Sequence, residues 1–163
     1  MDSIRVEKPS CWVYFHEKAR VLKFEGRLRE SEEILRAILK HALNYPQPNI
    51  IFTMMELADI LVGFSRDEEG ITLWENIFSI STELFGIDHR YSRDRCETLG
   101  FYYAYQGRFD DAILHFQQSM EKLALSSLDD PDSRDDYVQD LHSWIAKVEW
   151  MKAEKEREET MEV

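Results

Sequence analysis

The feature that most constrains this chain is a break that recurs at nearly fixed spacing inside helical periodicity. Apolar residues return every three or four positions: Trp12, Phe15, Ala19 and Leu22, then Leu28, Ile34, Leu35, Ile38, Leu39 and Ala42. The same spacing holds for Leu57, Ile60 and Leu61, and for Ile113, Phe116, Met120, Leu123 and Ala124. That is the period of an amphipathic helix, and no long period-2 run competes with it. Between the stripes lie breakers: Gly26-Arg27, Pro46-Gln47-Pro48, Ser65-Arg66, Gly86, Gly107-Arg108 and Asp129-Asp130-Pro131. Seven helices are predicted, near 10–24, 28–44, 49–63, 67–85, 92–106, 109–127 and 133–158.

Three of the breakers, Gly26-Arg27, Ser65-Arg66 and Gly107-Arg108, are separated by 39 and 42 positions. Aligning them brings small residues into register seven positions earlier (Ala19, Ala58, Gly100) and five later (Ser31, Gly70, Ala112). A bulky residue follows nine positions after each break: Leu35, Trp74, Phe116. This pattern describes a helical hairpin in which small side chains let two helices approach and a large one fills the space beyond them. One hairpin leaves part of its apolar stripe uncovered. Stacked hairpins bury it, and a last helix covers the end of the stack.

Residues Phe85 to Leu123, FGIDHRYSRDRCETLGFYYAYQGRFDDAILHFQQSMEKL, resemble a tetratricopeptide repeat of the long, roughly 42-residue kind. Repeats of that kind occur in kinesin light chains and in the arrays of fungal NB-ARC-type proteins. The resemblance is carried by Phe85-Gly86-Ile87-Asp88-His89, Leu99-Gly100-Phe101-Tyr102-Tyr103 and Gln106-Gly107-Arg108-Phe109-Asp110-Asp111-Ala112. Arg90 replaces the usual Pro and Gly100 the usual Ala. The middle repeat keeps Leu57-Ala58 and Trp74, with Ser65 for Gly and Gly70 for Ala. The first keeps Gly26-Arg27 and little else. The resemblance covers about residues 10–127. It implies an all-α fold: a right-handed superhelical stack of three hairpins (about 10–47, 48–90 and 91–128) after an N-terminal segment 1–9. A long capping helix with an acidic tail follows at 129–160.

The chain has 163 residues, 44% of them hydrophobic, with 32 Asp and Glu against 20 Lys and Arg, a net charge of −12. That is enough apolar material for a core without metals or disulfides. The acidity argues against binding nucleic-acid phosphates or an anionic membrane surface. More than half of the excess lies after Leu128, where 12 acids face five bases. A charge run of that kind either solvates a helix face or attracts a basic partner. Cys11 and Cys96 have no metal-like spacing and read as reduced thiols of a cytoplasmic protein. No apolar leader and no membrane-length apolar run is present.

No P-loop, dinucleotide fingerprint, H-E-x-x-H or nucleophile elbow occurs. None of His16, His41, His89, His115 and His142 pairs with another His or Cys at helical spacing, so no metal site and no cofactor are expected. His89 reads as a turn element, His115 as a surface or interface residue, and Cys96 as a buried small hydrophobe. The expectation is a non-catalytic protein.

In tetratricopeptide arrays the first helix of each hairpin lines the concave face. Carrying the family's groove positions over with Ala19, Ala58 and Gly100 as position eight gives three sets. The first is Val13, His16, Glu17, Arg20, Lys23 and Phe24. The second is Phe52, Met55, Glu56, Asp59, Val62 and Gly63. The third is Asp94, Glu97, Thr98, Phe101, Ala104 and Tyr105. The wall continues near Asp136, Gln139, Asp140 and Ser143. The set lacks the Lys/Asn/Arg grip of chaperone-type carboxylate clamps. Carboxylates with aromatic rings between them suit a basic or aromatic peptide segment, paired through Glu56, Asp59, Asp94 and Glu97 and stacked on Phe101 or Tyr105. The expected function is an adaptor or scaffold binding such a segment or a partner domain. The alternatives are self-association, as a homodimer through the stripe of Val138, Leu141, Trp144, Ile145, Val148 and Met151 with Trp150 beside it, and an unusual small-molecule-binding or enzymatic repeat protein.

Overall fold

Helices form wherever the three-four stripes run. In the computed structural model, which describes residues 9–42, 48–126 and 131–161, they are α1 (Pro9–Phe24), α2 (Leu28–Ala42), α3 (Pro48–Gly63), α4 (Asp67–Phe85), α5 (Arg90–Tyr105), α6 (Phe109–Leu125) and α7 (Pro131–Met161). Residues 1–8, the Pro46-Gln47 break and Asp129-Asp130 lie outside the described residues, as do the surroundings of Cys11. Three of the four prolines stand at the first position of a helix, where the missing N–H has no intrahelical partner to lose. Asp67, Glu68 and Glu69 open α4, and Asp110 and Asp111 open α6, each set facing the positive end of its helix dipole.

The three aligned breakers adopt one conformation. Gly26, Ser65 and Gly107 all have positive φ, 77°, 56° and 76°. Each is followed by an Arg whose N–H reaches back five residues: Arg27 to Leu22 O (2.8 Å), Arg66 to Leu61 O (2.9 Å) and Arg108 to Tyr103 O (2.9 Å). The break residue itself donates to the carbonyl three before it, so each first helix of a pair ends in the same Schellman cap. The Arg then bonds an acid in the first turn of the next helix: Arg27 with Glu30, Arg66 with Glu69, Arg108 with Asp111, all at 2.6 Å. The Arg is therefore part of the repeated turn.

The chain divides into two compact units, residues 1–77 and 78–163, with the boundary inside α4. In the first unit α1 packs on α2, α2 on α3, and α1 touches α3. Its core includes Ala19, Leu35, Ile38, Leu57, Ala58, Ile60, Leu61 and Ile77. Ser31, buried in α2, donates its hydroxyl to the carbonyl of Ala19 in α1 at 2.7 Å. The two small residues matched by the sequence register thus meet at the helix crossing. Met54 and Trp74 are also buried.

In the second unit α5 packs on α6, α6 on α7, and α5 touches α7. Gly100 explains the closeness of the first pair. A Cβ built on it would stand 2.0 Å from the ring of Phe116, which is itself fully buried. All nine registered positions, small and bulky, are buried. On α7 the buried line runs through Tyr137, Leu141 and Val148, with Trp144 and Met151 half-buried. Tyr137 is the member that the predicted stripe lacked; Val138 and Ile145 sit at its edge, half-buried. No helix among the described residues is long and apolar enough to cross a membrane.

Candidate protein-interaction site

The first helices of the hairpins, α1, α3 and α5, carry the expected groove positions. In the first unit three of them, Val13 and His16 of α1 and Phe52 of α3, converge on a cavity of about 140 Å³ backed by Trp12, Ile38 and Ile50. Further along the same two helices the charges meet. The Lys23 ammonium donates to Glu56 Oε2 at 2.7 Å and to Asp59 Oδ2 at 2.9 Å. Burial works against the Lys23 charge, but the bonds to these two carboxylates outweigh it and hold its pKa above the ordinary lysine value. Arg20 pairs with Glu17 at 3.0 Å and stands 4.0 Å from Glu56. Met55 is half-buried. The cations of the first hairpin and the carboxylates of the second therefore neutralise one another.

A second ionic group lies on the other helices of this unit. Arg66 bonds Glu32 at 2.7 Å and Glu69 at 2.6 Å, and Arg36 bonds the same two acids. Burial raises the pKa of Glu32, yet its bonds from Arg36 and Arg66 bring it below the usual carboxylate value. This group fastens α2 to the start of α4.

In the second unit the carboxylates are differently placed. Asp94 and Glu97 are exposed on α5, and neither side chain forms an ion pair among the described residues. Thr98 is half-buried and donates to the Asp94 carbonyl at 2.8 Å. Phe101 is buried and already carries a cation, with Lys147 Nζ 4.4 Å from its ring centre. Tyr105 is 71% exposed. Arg93 joins α5 to α7 by a 2.7 Å bond to Asp140, with its guanidinium also 4.7 Å above the Tyr137 ring. Trp144 is half-buried, its ring 5.4 Å from Phe116 and 6.1 Å from Tyr137, while Trp150 is 62% exposed. Of the two tryptophans considered for self-association, Trp144 belongs to the packing of α7 on α6.

The titratable groups elsewhere in this unit are arranged for packing. His89 caps α5, accepting the Tyr91 N–H on Nδ1 at 3.2 Å, and stacks on Phe85. Of the surface and interface positions expected for His115, the structure shows the interface one. It lies against buried Cys96, with Nε2 3.4 Å from Sγ and 3.2 Å from the Cys96 carbonyl. Burial drives its pKa down to about 4 and that of the Cys96 thiol up to about 11. A thiol held protonated in this way is a poor nucleophile. Among the described residues, no group of three His, Cys, Asp or Glu is placed to hold a metal ion.

Comparison with known proteins follows the same lines. Residues 49–123 match the tetratricopeptide repeat family. Among solved structures, the nearly identical TPR-like repeats of a Podosopora anserina protein assigned to the kinesin light chains superpose with a TM-score of 0.64 at 19% identity. That match covers 95% of this chain and 81% of that one. A single-residue variant of the same protein gives 0.63 over the same shares at 19% identity. BtubC (BKLC) from P. vanneervenii gives 0.61 at 13% identity, covering 94% of this chain and 68% of that one. These likenesses concern the fold. No curated protein matches the sequence.

Proposed function

We propose that this chain, whose residues 49–123 match the tetratricopeptide repeat family, is a non-catalytic adaptor or scaffold that binds a basic or aromatic segment of a partner protein. The observation that carries this reading is the unequal charge on its first helices. Glu56 and Asp59 are held by Lys23, whereas Asp94 and Glu97 on α5 stand exposed without an ion pair. An incoming Arg or Lys gains two unpaired carboxylates on α5, but on α3 it must first displace an internal lysine. The receptive positions are Asp94, Glu97, Thr98 and Tyr105 of the second unit. In the first unit Arg20, Lys23, Met55, Glu56 and Asp59 form a largely self-satisfied set. Phe101 supports the surface from below. A net charge of −12 adds long-range attraction for a basic partner, and the reduced, buried Cys96 suits a cytoplasmic setting.

The test is capture of partners from cell extract by the immobilised chain, repeated with Asp94→Lys/Glu97→Lys and with Asp59→Lys. The double α5 reversal should abolish retention of a basic partner and Asp59→Lys should weaken it less. Retention unchanged by the α5 reversal contradicts the reading. Self-association is the second reading, favoured by the exposed Trp150 alone. A monomer in sedimentation at high concentration removes it.

A further inference from the structure

At the far end of α5 the second unit holds a cleft that the groove positions alone do not describe. It is an open depression of about 420 Å³ between the α5–α6 turn and the last turns of α7. Its aromatic walls are Tyr105, Phe109 and Trp150, and its charged walls are Glu154, Lys155 and Glu158. Two of the rings are unusually open for their size: Tyr105 is 71% exposed and Trp150 62%. Large rings left open together around one depression mark a surface that another molecule covers.

The charges indicate what that molecule carries. Lys155 is the one cation in the wall, and it lies over the Phe109 ring, its Nζ 5.8 Å from the ring centre. Glu154 bonds Arg157 at 3.0 Å, an exposed pair of the kind that exchanges readily with solvent or ligand. Glu158 is exposed and forms no ion pair among the described residues. Open aromatic faces beside carboxylates are complementary to a flat cation. A guanidinium can lie on Trp150 or Tyr105 while two of its N–H groups pair with one carboxylate of the wall, a planar two-bond geometry that an ammonium cannot reproduce.

We infer that this cleft is an arginine-side-chain pocket, which anchors one arginine of the partner's basic segment while Asp94 and Glu97 engage other cations along α5. The inference rests on the proposed function and adds the residue type and the place where it docks.

The probe is a seven-residue peptide of glycines and serines with a single central arginine, titrated into the full chain and followed by the Trp150 indole and Gly107 amide resonances, the latter alone in the Trp150 variant. Matched peptides carry lysine or citrulline instead. The arginine peptide should shift Trp150 and Gly107 and bind about tenfold more tightly than the lysine peptide, with no binding by citrulline. Trp150→Ala should lose that preference, and Glu158→Gln should weaken the arginine peptide; both positions are exposed, so the fold is retained. Equal affinity for lysine and arginine, or an unmoved Trp150 resonance, overturns the inference. Shifts confined to Asp94 and Glu97 overturn it while leaving the proposed function standing. Absence of binding by the arginine peptide, with a longer basic peptide also silent, removes both.

Discussion

Single residues carry the repeat. Ser65 stands where its two counterparts are glycines and shares their positive φ, 56° against 77° and 76°. A side chain in that region costs on the order of 1 kcal/mol, which the cap holds in place. Ser65→Gly relieves the strain but gains chain entropy on unfolding, so a net stabilisation of roughly 0.5 kcal/mol is expected in urea unfolding. An unchanged or lower midpoint contradicts this account of the turn. His115 provides a pH dependence. Its pKa in the fold, about 4, lies below the usual histidine value because burial disfavours the imidazolium. Stability from this group is complete above about pH 6.5, and it falls with pH because only the unfolded chain takes up the proton. Between pH 6.5 and 5 the loss is about 1.5 kcal/mol. Replacing His115 by Gln should flatten the slope in that window, whatever its effect on stability at pH 7. A slope unchanged by the substitution assigns the titration elsewhere.

At the scale of helices, closeness of approach is set by the small residues. Gly100 lets α5 meet the ring of Phe116, which is itself enclosed by Phe101, His115 and Trp144. In an isolated helix Gly→Ala would stabilise by about 1 kcal/mol. Here the added methyl must displace a ring with no free side to move to, so overpacking should win, and Gly100→Ala should destabilise by about 1–3 kcal/mol in thermal or urea unfolding. A stabilised variant would show that the helices separate without cost. This register was legible in the sequence: the breakers, the small residues and the bulky residues nine positions on all lie where the alignment put them. All seven helices were legible too, each within a few residues of its observed ends. Tyr137 was missed because a tyrosine beside a run of aspartates resembles a polar helix start, and its burial against Arg93 of α5 depends on packing. The same limit applies to the site. The sequence placed Lys23, Glu56 and Asp59 on neighbouring first helices, but their mutual neutralisation depends on a lateral distance that no spacing rule contains. For His115 the sequence left surface and interface open, because its partner, Cys96, lies on the facing helix of the hairpin.

For the whole molecule, what matters is where negative charge remains unspent. The chain carries −12, yet many of its acids are committed to arginines and lysines that close turns and join helices: Glu30, Glu32, Glu69, Asp111, Glu56, Asp59, Asp140. The acids left open in the described helices include Asp94 and Glu97 on α5 and Glu158 on α7. A repeat fold supplies rigid helices; under the proposed function the open acids and rings on them select a basic segment. Fluorescence anisotropy reads that selection out, with the full chain titrated into a labelled peptide of alternating arginine, glycine and aromatic residues, against a peptide with every arginine replaced by glutamate. Saturable binding of the basic peptide alone is expected, weakened by added salt and lost in Asp94→Lys/Glu97→Lys. Equal binding of both peptides, or no binding of the basic one at low salt, would contradict it.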